Sequence, residues 1–263
     1  MGCDVRRGLG YCYIGKSQDT PGSGSYSGIP PAVGIDFFQG PYMDPDGKDN
    51  PKVDMSYIQT NGSEPLKKLL AGYAKKDANG NFIGYDTVDI SYHADDFFAV
   101  DPMSWYFRPG DTVGNCAING VNFGNGIVDD ERFGMRRFVY YDNGTSSING
   151  EPSKASDYYN YLCGKWKNGQ HMLYGGNAIS LDVDPAQLHC DFMFPDDSDP
   201  WHWGTNGVTP TVNPDDWTEL TAGASGNTPG DRRFMQSAGP FTLKPGALNY
   251  ITVGIPFAQA SSG

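Results

Sequence analysis

Turn-forming residues dominate this chain and most constrain what it can fold into. Asp, Asn, Gly and Pro together occupy 98 of its 263 positions. Gly and Pro break helices, and Asp and Asn side chains compete with the helical backbone for its hydrogen bonds. A helical bundle or an ordinary α/β enzyme cannot be built at that density. The aromatic residues, chiefly 16 Tyr and 14 Phe, suit strands and loop-rich cores. At 263 residues the chain can form one large domain or two small ones.

The acids are lopsided: 27 are Asp, and only Glu64, Glu131, Glu151 and Glu219 are Glu. The net charge of −12 argues against nucleic acid or anionic lipid as a partner, because phosphate contacts need clustered Lys and Arg. No apolar run approaches the ~20 residues of a membrane helix, so membrane insertion is not expected. The first twenty residues hold no apolar signal region, and Arg6 breaks the myristoylation pattern. The ending at 258–263 follows a strand-like run without a closing element and reads as a cut from a longer protein.

Local patterning predicts a mainly β fold, antiparallel and β-sandwich-like, with two short helices and long acidic Gly/Asp/Asn-rich loops. Residues 16–35 read as a long loop and 33–38 as a strand. A first helix is expected over 64–76, with Ser63 as N-cap and Leu66, Leu69, Leu70 and Tyr73 on one face. Strands are expected at 82–92, 97–100 and 104–108. The clearest covers 133–141 and ends in the turn Asp142-Asn-Gly144. A second helix is expected over 156–167, where Tyr158, Tyr161, Leu162 and Trp166 recur at helical spacing before Gly169. Residues 241–243 and 248–256 read as two strands around the turn Lys244-Pro-Gly-Ala247. We treat 1–263 as one β-rich domain, with room for a subdivision near 145–155.

Three stretches place oxygen ligands as Ca²⁺ requires. Asp44, Asp46 and Asp49 surround Gly47, which allows a sharp bend. Asp77, Asn79 and Asn81 have the 1,3,5 spacing that opens an EF-hand loop, but the Gly is misplaced and no Glu follows at position 12. In the third stretch, Asn125 is followed by Asp129, Asp130 and Glu131; Gly126 frees the turn, and Ile127 and Val128 are expected to anchor it. The alternative for all three is turn chemistry, in which side-chain oxygens cap backbone N–H groups with no ion. The run 194–199 is similar. Beyond it, Trp201, Trp203 and Trp217 form a candidate platform for sugar rings, or else fill the core beneath a long loop.

Five cysteines are present, without a CxxC pair or zinc spacing. Cys3 and Cys12 flank an Arg-Gly-Leu-Gly turn and are a candidate disulfide across a hairpin; buried free thiols are the alternative. There is no Gly-x-Ser-x-Gly elbow, and His93, His171, His189 and His202 form no HExxH motif. Asn61-Gly-Ser63 and Asn143-Gly-Thr145 match the N-glycan pattern.

Three stretches carry a resemblance: Cys3-Asp-Val-Arg-Arg-Gly-Leu-Gly-Tyr-Cys-Tyr13, Asn125-Gly-Ile-Val-Asp-Asp-Glu-Arg-Phe-Gly-Met-Arg-Arg-Phe138 and Asp231-Arg-Arg-Phe-Met-Gln-Ser-Ala-Gly-Pro-Phe-Thr-Leu-Lys-Pro-Gly246. With Tyr158-Tyr-Asn-Tyr161, Tyr174-Gly-Gly176 and Phe192-Met-Phe-Pro-Asp196, they resemble the large secreted surface proteins of Bacteroidota, which typically end in a type IX secretion sorting domain. The resemblance implies export to the cell surface or medium and a longer parent. It also implies O-glycosylation at Asp-Ser/Thr-apolar sites, which here would be Thr87 and Thr112. The expectation is a non-enzymatic extracellular module, calcium-stabilised, serving adhesion, surface assembly or filament formation with other surface proteins or copies of itself. A carbohydrate-binding module and an unrecognised hydrolase are the alternatives.

Overall fold

The computed structural model describes residues 1–5, 7–13, 26, 29–42, 47, 74–79, 81–85, 120–122, 126–199, 202–205, 208–214, 216–222 and 231–259. Among them the chain is mainly β, with antiparallel sheets and a single α-helix. In chain order the strands are β1 (Gly2–Asp4), β2 (Leu9–Tyr13), β3 (Ala32–Gln39), β4 (Ala74–Lys76), β5 (Phe82–Tyr85), β6 (Gly120–Val121), β7 (Arg132–Phe133), β8 (Met135–Asp142), β9 (Arg232–Ala238), β10 (Thr252–Gly254) and β11 (Phe257–Ala258). The helix α1 spans Ala155–Leu162.

The first sheet runs β1-β2-β3-β10, with β11 also pairing to β3. Its opening hairpin turns on Asp4, whose Oδ1 accepts the Arg7 N–H at 3.0 Å, and on Gly8 at φ +68°. Gly10 of β2 lies against the β8–β9 ribbon so closely that a Cβ there would meet Gln236 Oε1 at 2.3 Å and the Phe138 ring at 2.8 Å. Only a glycine allows that approach. Gln236 also donates from Nε2 to the Ile35 carbonyl at 3.1 Å, tying β9 to β3.

β8 does not alternate between buried and exposed residues; six of its eight are buried. β9 pairs along one edge, and the irregular segment 163–222 covers the strand elsewhere, through Phe138 N–H to Asp191 O at 2.9 Å and Met193 N–H to Phe138 O at 3.1 Å. The core gathers here: Phe138, Val139, Tyr140 and Tyr141 from β8, with Trp166, Phe192, Phe194 and Trp217 from the segment. Their buried polar atoms are satisfied, as Trp166 Nε1–H donates to Ala178 O at 2.9 Å and Trp217 Nε1–H to Gly176 O at 3.2 Å. Arg136 and Arg137 both reach Asp191, at 2.6 and 2.9 Å, and bolt the segment to β8.

Several expectations are corrected. The helix expected over 156–167 ends at Leu162, because Gly164 turns the chain into the left-handed region at φ +69°. Tyr161 and Trp166 are buried, whereas Tyr158 and Leu162 are exposed, so only half of the expected apolar set packs. Asp157 starts the helix, its Oδ2 accepting the N–H groups of Ser153 and Lys154 at 3.1 and 3.2 Å. Of the helix expected over 64–76, residues 64–73 lie outside the described residues, and the last three form β4 instead, paired with β5. β5 accounts for 82–85 of the strand expected over 82–92; residues 86–92, 97–100 and 104–108 lie outside the described residues. Residues 241–243 form no strand. β10 and β11 pair with β3, and the turn at Lys244 survives with Ala247 N–H bonded to Lys244 O at 2.9 Å.

Candidate functional site

The third acidic stretch sits in the connection between β6 and β7, which pair Gly120 with Phe133 and Val121 with Arg132. Its base is held by Arg132, a nearly buried side chain that donates from Nε to Gly40 O at 2.8 Å and from Nη2 to Tyr250 O. The same guanidinium lies 4.2 Å from the centre of the Tyr42 ring. Phe133 N–H bonds to Pro41 O at 2.9 Å, and Tyr42 N–H to Asn249 Oδ1 at 2.8 Å. The loop therefore rises from a junction of three distant segments.

Above that base Asn122 and Asp129 adopt left-handed backbone, at φ +73° and +60°, a conformation that short polar side chains tolerate. Asn122 Nδ2–H donates to Asp130 O at 3.0 Å and draws the loop closed. Asp129 is exposed, Asp130 half-buried and Glu131 buried. Ile127 and Val128, expected to anchor the loop, are exposed at 58% and 53%; Glu131, Arg132 and Phe133 occupy the buried positions instead.

Gly47 N–H donates to Asp129 Oδ1 at 2.9 Å, across 82 positions of sequence. Gly47 is the bend of the first acidic stretch, so the structure brings two of the three stretches together. Asp44, Asp46, Asp49 and Asn125 lie outside the described residues. Among the described residues no three Asp, Glu, His or Cys side chains converge as a metal-binding group.

The second stretch has a different occupation. Asp77 Oδ1 accepts the N–H groups of Asn79 and Asn81 at 2.8 and 2.9 Å, and its Oδ2 accepts Asn81 Nδ2–H at 3.0 Å. This is turn chemistry, and it closes the β4–β5 hairpin. In the run 194–199, Asp199 is buried and its Oδ2 accepts Gly204 N–H at 2.9 Å. Burial and the charges of Asp197 and Asp216 raise the Asp196 carboxyl above its ordinary range. Asp216 arrives there from twenty residues away through Asp196 N–H to Trp217 O at 3.3 Å, a convergence that local spacing does not signal.

Trp217 is fully buried between Tyr174 and Phe194, with ring centres 4.6 and 5.4 Å away, and so cannot form part of a surface platform for sugars. Trp201 and the side chain of Trp203 lie outside the described residues, as do Thr87 and Thr112. The hairpin carrying Cys3 and Cys12 forms, but its register sets Cys3 opposite Gly10 and puts Cys12 opposite Val33 of β3. Diagonal partners on neighbouring strands are ~7–8 Å apart, too far for a disulfide, and both cysteines are free thiols. His171 and His189, each in an isolated antiparallel bridge of the irregular segment, stack at 4.4 Å, a pair that no motif announced. No family model, curated protein or solved structure matches this chain.

Proposed function

We propose that this chain is a non-enzymatic extracellular module, sandwich-like in its β architecture and stabilised by Ca²⁺, that serves surface assembly or adhesion in an exported bacterial protein. The observation that carries the reading is the hydrogen bond from Gly47 to Asp129 Oδ1, which joins two acidic stretches far apart in sequence. Ca²⁺ takes six to eight oxygen ligands, and carboxylates from both stretches together with loop carbonyls would supply that number. Asp129 and Asp130 would supply ligands from the third stretch, and Asp44, Asp46 and Asp49 are the carboxylates that the first stretch carries in its sequence. Without a cation these carboxylates repel one another; with it, binding stabilises the fold by mass action. The resemblance to exported Bacteroidota surface proteins and the acidic, turn-rich composition support the extracellular setting.

Thermal unfolding with and without calcium tests the reading. At about 100 times the dissociation constant, bound Ca²⁺ adds roughly 2.7 kcal/mol, so the melting temperature should rise with CaCl₂ and fall back with EDTA. Asp129→Asn should abolish most of that difference, while Asp77→Asn should keep it. Identical melting in calcium and EDTA overturns the proposal.

A further inference from the structure

From residue 234 to the end at 263, the only Lys, Arg, Asp or Glu is Lys244, in a chain whose net charge is −12. β10 and β11 lie in this stretch and form one edge of the first sheet, both paired to β3. Among the described residues no strand pairs along their other side. The run 248–258 is almost continuously apolar, the pattern of a strand covered on both faces. Yet Leu248, Tyr250, Ile251, Val253, Ile255 and Phe257 are each between 50% and 77% exposed. Sheet edges are ordinarily guarded by charged side chains, and this one has none. Its single guard is Pro256, between the two strands, whose carbonyl accepts Gly34 N–H at 2.9 Å. The opposite edge of the sheet is covered, because Cys3 N–H bonds to Phe194 O at 3.2 Å and Val5 N–H to Ser198 Oγ at 3.0 Å.

We propose that the β10–β11 edge is the docking surface for a second copy of this chain, related by a two-fold axis. Three arguments select that occupant. A sheet open at one edge makes a closed, self-complementary pair, whereas a head-to-tail chain needs two complementary open surfaces. Copies that each carry −12 approach closely where the surface has no charge, and this strip is such a place. The area also suffices: at roughly 100–150 Å² per large side chain, the six residues and neighbouring Phe38 offer about 800 Å², the share each partner contributes to a standard interface. The proposal deepens the assembly part of the proposed function and does not depend on calcium.

Sedimentation velocity on the full chain, from about 1 to 200 μM in EDTA and again in CaCl₂, tests it. A dimer should accumulate in both solutions within that range. Ile255→Glu should weaken it at least tenfold while leaving unchanged the melting temperature measured at concentrations where wild type is monomeric, and Ile255→Val should keep the dimer. Should Ile255→Glu not fold, Leu248→Glu replaces a side chain already 77% exposed outside the strands, and should weaken the dimer in the same direction. A wild-type monomer at the highest concentration, or a dimer untouched by a folded variant, overturns the proposal. A dimer whose melting ignores calcium keeps this inference and overturns the calcium reading; a calcium-stabilised monomer does the reverse.

Discussion

Arg132 spans the junction beneath the acidic loop, and its truncation gives a sharp test of how that junction is held. The side chain is 5% exposed, donates to the carbonyls of Gly40 and Tyr250, and stacks on Tyr42. Arg132→Ala removes two hydrogen bonds from a charged donor, at about 1.5 kcal/mol or more each, and leaves both carbonyls short of a partner. The lost contact with the Tyr42 ring adds roughly 0.5–1 kcal/mol. The expected cost is about 4 kcal/mol, a large part of the ~5–15 kcal/mol that a domain has in total. At ~2–4 °C per kcal/mol for a chain of this size, the melting temperature should drop by about 10 °C. Urea unfolding followed by circular dichroism should show a lower midpoint at unchanged slope. Arg132→Lys keeps the charge, but a single ammonium cannot reproduce the guanidinium fork, so it should recover less than half of the loss. A cost below about 1 kcal/mol for Arg132→Ala would refute the reasoning. The backbone bond from Phe133 to Pro41 and the Tyr42–Asn249 pair would then be what holds the junction.

Burial, with the charges of Asp199 and Asp4 behind it, pushes the Cys3 thiol well above its ordinary range; burial, Asp191 and Asp199 do the same for Cys190. Iodoacetamide at pH 8 should therefore spare both in the native protein and label both in urea, as read by mass spectrometry; native labelling of Cys3 at the denatured rate refutes this. Acid should destabilise the fold through Asp184. Burial pushes that carboxyl up, but the N–H groups of Thr211, Ala186 and Val212 and the Thr211 hydroxyl outweigh it, so its folded pKa lies below the unfolded value. Its stabilisation is present above the unfolded pKa of ~3.9 and is lost as pH falls through the folded pKa. Asp184→Asn should accordingly melt lower than wild type at pH 7, with the gap narrowing toward pH 3. A gap that stays constant with pH sinks the argument.

The parts of this fold legible in the sequence are those whose cause is local. The strands at 33–38 and 133–141 announce themselves as β-branched and aromatic runs closed by turn residues; the first forms as β3, and the second is divided at Gly134 between β7 and β8, which join different sheets. β9 escaped the same reading. Its partner is β8, some ninety residues away, and the pairs that fix it, Arg232 with Asp142 at 2.5 Å and Arg233 with Glu151, are invisible to a local window. For Trp217 the core-filling alternative holds rather than the sugar platform. Acidic and hydroxyl neighbours mark it as a loop residue, and it is one, but the core of this protein is lined by irregular chain.

That irregular core also bears on the acidic residues. Chain without helices or ladders leaves backbone N–H groups in need of acceptors, and short polar side chains supply them. Asn177 Oδ1 accepts the N–H groups of Ile179, Ser180 and Leu181 at 3.0, 2.9 and 3.0 Å. Asp184 holds Ala186 and Thr211, Asp199 holds Gly204, and Asp77 holds Asn79 and Asn81. These four side chains therefore serve as scaffolding for irregular chain, mostly within five residues of themselves, with Thr211 27 positions from Asp184. Asp129 differs because its backbone partner, Gly47, comes from another acidic stretch 82 positions away. A side chain that caps its own turn stabilises locally whether or not an ion is present. Asp129 instead ties its loop to Gly47, and the calcium reading proposed above rests on that link. Composition makes local caps and long-range ties look alike, and only the fold separates them, as the bonds of Asp129 to Gly47, Asp184 to Thr211 and Asn249 to Tyr42 show.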